Sequence, residues 1–487
     1  MSWMKALADC YALACRQYPG EPLMFVSDID GTIIDMRYHV LSVLQAYDEE
    51  HGTGYFTRLQ PTDVTVHENR VEEFLDHSRV PASEREPVKE WYEERRWQED
   101  TILATHRPFP RVFPMIRWFQ LQPLTSVGLL TGRPEKLREI TLQSLNQLGE
   151  KHHVHFSDDL LVMNPGTWEE DVAQSKIAGL RHFQARGHHV FAMMDNEPSV
   201  LKALAKETKG TGILLLHANT IFESRGTPVP SGTVRGKDYG LAELVPDEEA
   251  LPDHVQLVWH GVNGDANLRQ FIASGVFWAE VDVIRDPAGE LILRHDSLET
   301  TPASPDETWL TFQQAMAALD RHGRGIKLDL KGGTGVLYEV LATVADAGFQ
   351  DDRLWFNADI EDMGEEGFRR IRNAHPDAIV QCPIGWLSPL IVAAPEEAHR
   401  TLETLTSWGI SRFSIDWSRP DPRGLLDQFV NWGYEVNFYN VPDLEAFLEA
   451  VVCLPSSVTS DFNFPQWSFY GHGSGKEGKR IKYQIED

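Results

Sequence analysis

Short apolar runs closed by small or acidic residues recur along this chain, with the polar groups gathered at the C-terminal end of each run. Residues 23–26 are the first: a buried-strand pattern followed at once by Ser27-Asp28-Ile29-Asp30-Gly31-Thr32. Leu129-Leu130-Thr131-Gly132-Arg133 repeats it, an apolar strand ending in a small hydroxyl residue. Residues 190–194 form another, closed by Asp195-Asn196-Glu197-Pro198, and residues 171–176 lead through Lys176 into a predicted helix. Residues 212–217 read as the last strand of this half. A charge-rich, mostly helical stretch from residue 38 to about 105 carries Trp91, Tyr92 and Trp97 and interrupts the series after the first strand. Residues 224–252 are rich in Gly, Pro, Ser and charge, show little periodicity and read as a linker, with the domain boundary near 245.

Beyond it the texture changes. Eight apolar stretches (255–259, 276–283, 325–330, 354–360, 378–384, 412–417, 434–439 and 457–462) alternate with helical ones. That is the signature of a (β/α)₈ barrel, whose active site lies at the C-terminal ends of the strands. The predicted fold class is therefore α/β throughout: a Rossmann-like domain over 1–245 and a TIM-type barrel over 246–487.

The chemistry sits where these strands end. Asp28 and Asp30, one residue apart before a Gly-Thr turn, repel unless a cation holds them, and hard oxygen ligands suit Mg²⁺. Such a pair fits metal-assisted phosphoryl chemistry with an aspartate nucleophile, although an Asp-Gly turn in solvent has the same local sequence. In the second half, strand one ends in His260-Gly261-Val262-Asn263. Glu280-Val281-Asp282 puts two carboxylates on one face by the period of two, and Asp329-Leu330-Lys331 does the same with an acid and a base. His295-Asp296 follows a hairpin-like segment, Asn357-Ala358-Asp359 ends strand four, and Trp386 lies beyond strand five. Glu280, Asp282 and Asp329 together suit one divalent cation, Mg²⁺ or Ca²⁺. His260 and His295 suit an acid–base pair, and Lys331 a neutralising group for phosphoryl oxygens.

Composition narrows the field. A formal charge of −28 excludes general nucleic-acid or anionic-membrane binding, so an anionic substrate depends on local cations. Four cysteines (Cys10, Cys15, Cys382 and Cys453) form neither a metal-type cluster nor a disulfide framework, which points to a reducing compartment. The N-terminal stretch 3–18 is an amphipathic helix without a signal-peptide core, and no apolar run approaches the roughly 20 residues that span a bilayer. The expectation is a soluble, cytoplasmic protein with small phosphorylated substrates. Gly471-His472-Gly473-Ser474-Gly475-Lys476 superficially suggests a phosphate loop, but its spacing is not the P-loop pattern.

The ordered set Asp28/Asp30, Thr131, Lys176, Asp195 resembles the four motifs of the haloacid dehalogenase-like (HAD) phosphatases. That resemblance implies that Asp28 attacks phosphorus and becomes an aspartyl phosphate, while Asp30 protonates the leaving oxygen and then activates water. It also implies that Thr131 and Lys176, with Gly132 and Arg133 beside them, meet the phosphoryl oxygens. Asp195 then completes the Mg²⁺ site with Asp28 and the Asp30 backbone carbonyl. The role of Glu197 stays open, and Arg133 is either an exposed helix-start cation or a substrate ligand. Residues 36–105 resemble the helical cap of these phosphatases. The second half resembles the TIM-barrel phospholipase-like and glycerophosphodiester phosphodiesterases, and within them the menorin family. Trp259-His260-Gly261-Val262-Asn263, Ala279-Glu280-Val281-Asp282-Val283, Gly325-Ile326-Lys327-Leu328-Asp329-Leu330-Lys331 and Trp355-Phe356-Asn357-Ala358-Asp359-Ile360 carry the likeness. In glycerophosphodiesterases an Arg usually follows the first His; here Gly261 does. The resemblance implies His260 and His295 as acid and base, Lys331, Asn263 and Asn357 as substrate contacts, and Glu280, Asp282 and Asp329 as metal ligands. A bifunctional phosphoesterase is the expected function. A phosphotransferase, or a ligand-binding protein with one inactive domain, are the competing readings.

Overall fold

A computed structural model describes residues 2–166, 171–220, 228–304 and 306–461. The chain divides into two compact units, Met1–Leu244 and Val245–Asp487. The 471–476 segment and the end of the 457–462 stretch lie outside the described residues.

In the first unit six strands form one parallel sheet: β1 (Leu23–Ser27), β2 (Thr125–Pro134), β3 (Leu161–Asn164), β4 (His189–Asp195), β5 (Leu214–Ala218) and β6 (Val234–Gly236). Their order is β3-β2-β1-β4-β5-β6, so the sheet reverses direction of growth between β1 and β4. All five residues of β1 are buried, as expected of a strand covered on both faces. Met24, Val26, Leu130 and Met193 pack against Leu180 and Phe183 of the helix Val172–Ala185 and Leu201 of the helix Pro198–Glu207. The Asp171 side chain caps the first of these helices by accepting from the Ala173 and Gln174 amides, which sets Lys176 in its second turn.

The stretch read as a linker is in part folded. β6 pairs with β5 (His217 opposite Arg235), and behind it buried Tyr239 donates to the Thr32 carbonyl at 2.5 Å. The sheet therefore extends one strand past residues 212–217. Three residues are too few for alternation to be visible.

Between β1 and β2 the helices Met36–His51, Val71–His77, Arg85–Arg95 and Glu99–Thr105 form an insertion with its own apolar core, including Val40, Leu44, Phe56, Leu75 and Tyr92. Asp48 secures the turn after its first helix. The carboxylate accepts from the Tyr55, Phe56 and Thr57 amides and from the Thr53 and Thr57 hydroxyls at 2.6–3.0 Å.

The second unit contains β7 (Gln256–Trp259), β8 (Trp278–Arg285), β9 (Leu291–Leu293), β10 (Gly325–Leu330), β11 (Leu354–Asn357), β12 (Ile379–Pro383), β13 (Arg412–Asp416), β14 (Glu435–Val441) and β15 (Ser457–Ser460). Eight of them pair in parallel as β7-β8-β10-β11-β12-β13-β14-β15, and β15 returns to β7, which closes a barrel. β9 is a hairpin partner antiparallel to β8, outside the ring. Among the described residues no helix is long and apolar enough to cross a membrane.

Candidate functional site

In the first unit, Asp28 leaves the end of β1 and its amide donates to the Met194 carbonyl of β4 at 2.9 Å. This is the reversal point of the sheet, where open α/β sheets form their ligand crevice. Lys176 Nζ stands 2.6 Å from Asp28 Oδ1 and 2.6 Å from Asp195 Oδ2, with all three side chains buried. Burial, with Asp195 adding to it, pushes the Asp28 carboxyl up to about 7 against the pull of Lys176. Burial works against the charge on Lys176, but Asp195 and Asp28 outweigh it and hold the ammonium well above its ordinary value. Thr32 Oγ1 donates to Asp28 Oδ2 at 3.2 Å, and the Glu197 amide to Asp195 Oδ1 at 2.8 Å. Gly31 is needed in the turn: φ is +75°, and a Cβ there would sit 2.2 Å from Asn196 Nδ2.

Arg133 is neither exposed nor free. It is fully buried, and its guanidinium forks onto Asp30 at 2.6 and 2.8 Å while donating to Thr141 Oγ1 at 3.1 Å. The exposed-cation reading gives way to a clamp on Asp30, and Arg133 also lines the cavity above it. Burial opposes the Asp30 charge, yet Arg133 outweighs it and holds the carboxyl below its ordinary value. Thr131 Oγ1 is occupied locally, accepting from the Arg133 amide at 3.1 Å. A cavity of about 290 Å³ opens over these groups, lined by Asp28, Asp30, Gly132 and Lys176 and, from the helical insertion, by His67 and Arg70. His67 Nε2 lies 3.3 Å from Glu197, and Nδ1 3.2 Å from Glu68. Burial disfavours its charge, but Glu68 and Glu197 prevail and raise it to about 9.

In the barrel, His260, Glu280 and Asp282 each offer one ligand atom within 4.8 Å of the others. The Gly261 amide donates to Glu280 Oε2 at 2.9 Å, and burial pushes the Glu280 carboxyl up. Asp282 is completely buried. Its Oδ2 accepts from Asn263 Nδ2 at 2.7 Å, but its Oδ1 accepts no hydrogen bond, and Lys331 Nζ is 3.5 Å away. Such an orphaned carboxylate oxygen beside a second buried carboxylate and an imidazole fits a divalent cation. Asn263 also accepts from the Asp282 amide at 2.9 Å, so it positions a carboxylate and is not among the residues lining the cavity. Asp329, expected as the third carboxylate, stands opposite Asp282 in the β8–β10 register, pairs with Lys331 at 2.5 Å and accepts from Asn357 Nδ2 at 2.9 Å. Trp386 is half exposed on the surface.

His260 Nδ1 faces Asp461 at 3.0 Å, a partner the sequence reading passed over. Burial disfavours charge on His260, but Glu280 and Asp461 outweigh it and raise the imidazole to about 9. His295, exposed and bonded to Asp296 at 2.7 Å, crosses His260 nearly perpendicularly with ring centroids 6.2 Å apart. The cavity here is about 320 Å³, and Asp329, Lys331, Asn357 and Asp359 line its outer part.

No family model matches the sequence, and no curated protein does. Solved structures similar to it include two groups. One includes a glycerophosphodiester phosphodiesterase of Parabacteroides distasonis (14% identity, TM-score 0.34, covering 44% of this chain and 94% of that one). It also includes an Oleispira antarctica phosphodiesterase in complex with sn-glycerol-3-phosphate (19% identity, TM-score 0.34, covering 46% and 97%). The other includes a HAD-superfamily hydrolase of Geobacter sulfurreducens (13% identity, TM-score 0.31, covering 46% and 95%).

Proposed function

We propose that the chain is a metal-dependent phosphoric ester hydrolase with two active centres, a phosphomonoesterase in the first unit and a phosphodiesterase in the barrel. The observation that carries this reading is charge placement. At each centre two buried carboxylates, Asp28 with Asp195 and Glu280 with Asp282, lie together on neighbouring positions of parallel strands or at their ends. Asp28 and Asp195 share one ammonium, and Asp282 keeps an oxygen with no donor.

Asp28 and Asp195 would hold Mg²⁺, and Glu280 and Asp282 a second Mg²⁺ or Ca²⁺; either ion would supply positive charge to phosphoryl oxygens. In the first unit Asp28 attacks phosphorus as the ester P–O bond breaks, giving an aspartyl phosphate and an alcohol that takes its proton from Asp30. Asp30 then draws a proton from water, whose oxygen attacks phosphorus. The acyl phosphate P–O bond breaks and Asp28 returns as the carboxylate. Arg133 keeps Asp30 aimed into the cavity and in the form suited to this second step. Lys176 orients Asp28 and offsets one of the two buried charges. In the barrel His260, held by Asp461, and His295 flank the cavity as base and acid: one takes the proton of a water or substrate hydroxyl, the other protonates the leaving oxygen. Lys331 draws phosphoryl charge at the mouth.

Assays of the full chain with Mg²⁺ on p-nitrophenyl phosphate and on bis(p-nitrophenyl) phosphate test the two-centre reading. Asp28→Asn is expected to lose more than about 10³-fold on the monoester only, and His260→Ala to lose diester cleavage only. Equal loss of both activities in each variant would overturn it.

A further inference from the structure

The helical insertion of the first unit reaches the proposed acid–base residue Asp30 through Arg133. Arg133 lies on β2, and one of its partners, Thr141, comes from the helix Arg138–Gly149. Two further neighbours belong to the insertion and to the segment that leads back from it. Trp97, between the helices Arg85–Arg95 and Glu99–Thr105, has its ring centroid 5.2 Å from the guanidinium carbon. His106, directly after the second of these helices and 1% exposed, places Nε2 3.4 Å from Arg133 Nη2. Of the five N–H donors of Arg133, Asp30 takes two, Thr141 one and His106 one.

A guanidinium only donates, so Nε2 is the bare nitrogen of His106, and its proton sits on Nδ1, 2.9 Å from Ser144 Oγ. Buried His39 packs behind both neighbours, its ring centroid 5.6 Å from that of Trp97 and 5.3 Å from that of His106. Burial, with Arg133 adding to it, pushes both imidazoles well below their ordinary range. The wall that the insertion sets against Arg133 is therefore uncharged. It supplies an aromatic face and one acceptor, and it leaves the guanidinium charge to Asp30.

A planar fork gripped in this way fixes the direction of the carboxylate it holds, and proton transfer depends on that direction. Without the indole and the imidazole, water takes their place and the guanidinium is free to turn, carrying Asp30 with it. We propose that Trp97 and His106 are positioning residues for proton transfer at Asp30. The insertion then builds the acid–base half of the first centre, while the sheet alone carries the nucleophile Asp28. Neither Trp97 nor His106 lines the cavity, so both act through Arg133. The proton transfer in this proposal rests on the phosphomonoesterase reading; the hold on Arg133 does not.

The test compares propyl phosphate with p-nitrophenyl phosphate, using the full chain with Mg²⁺. p-Nitrophenolate leaves without a proton and propanolate does not, so only kcat/KM on the propyl ester reads the acid step. Trp97→Leu and His106→Leu should each lower the propyl to p-nitrophenyl ratio of kcat/KM by at least about tenfold, part of the roughly 10²–10⁴ that a placed acid supplies. Trp97→Phe keeps an aromatic face and should restore most of the ratio. The ratio does not depend on how much of a variant is folded, so a merely structural role leaves it unmoved. An unchanged ratio in both leucine variants overturns the positioning and leaves the phosphomonoesterase reading standing. Hydrolysis of neither ester by the wild type sinks that reading. The Nε–H resonance of Arg133, assigned by its loss in Arg133→Lys, then decides the hold. Exchange with water at least about tenfold faster in Trp97→Leu or His106→Leu supports it; unchanged exchange in both overturns it.

Discussion

Replacing Lys176 by Met leaves Asp28 and Asp195 facing each other inside the first unit. Each carboxylate oxygen lies 2.6 Å from Nζ, so the two are at most twice that distance, 5.2 Å, apart. At an effective dielectric of about 20, two like charges about 5 Å apart repel by roughly 3 kcal/mol. Removing one partner of a buried ion pair generally costs about 3–5 kcal/mol, which agrees. Protonation of Asp28 limits the cost, because its pKa already stands at about 7 with the lysine present and rises further without it. The sign follows: a carboxyl whose folded pKa exceeds its unfolded one loses stability as pH rises. The deficit of the metal-free variant therefore grows from pH 6 to pH 8. Hydrogen exchange read by mass spectrometry on the full chain in EDTA suits this chain of two units, because it reports each strand separately. Peptides covering β1 and β4 should exchange about 100- to 5,000-fold faster at pH 7, while peptides of β10 serve as the control. Adding Asp195→Asn to the variant should recover most of the protection. A change under threefold in β1 and β4 would refute the reasoning.

Three further perturbations separate the sites. Gly31→Ala forces φ +75° on a residue with a Cβ and displaces Asn196, so monoester turnover should fall at least tenfold while diester turnover holds. Asp48→Ala removes five hydrogen bonds from the helical insertion and should lower its stability by about 2–4 kcal/mol, seen as proteolysis between residues 36 and 105. Because the Asp48 carboxyl is held below its ordinary value by these bonds, against burial, its contribution is present near neutral pH and is lost as pH falls below about 4. Asp282→Asn should weaken divalent-ion binding to the full chain, measured by isothermal titration, by at least about tenfold; unchanged affinity would remove Asp282 from the ligand set.

Much of this architecture was legible because buried parallel strands read as apolar runs and their C-terminal ends carry the polar groups. Asp28, Lys176 and Asp195 lie 148 and 19 residues apart in pairs, yet their places at strand ends and a helix start, in an order that resembles the HAD motifs, linked them in the sequence. Asp461 obeys the same rule at the end of β15 and was recoverable by it. Arg133 was not: whether a guanidinium beside a strand end turns outward or inward depends on Asp30, Thr141 and Trp97, which only the tertiary fold gathers. His67 had no signal either, because the insertion's helices are charged on most faces and their packing decides which groups look down. β6 was lost to its length.

Among the described residues the margins of the open sheet are β3 and β6, of four and three residues, whereas the eight parallel strands of the barrel close into a ring that leaves three-residue β9 as its margin. Among the described residues, a neighbouring molecule seeking to add a strand thus finds short ladders of unpaired amides and carbonyls, one of them interrupted by exposed Arg235. Strand-by-strand polymerisation of this long acidic chain is disfavoured by its topology before any chaperone is involved.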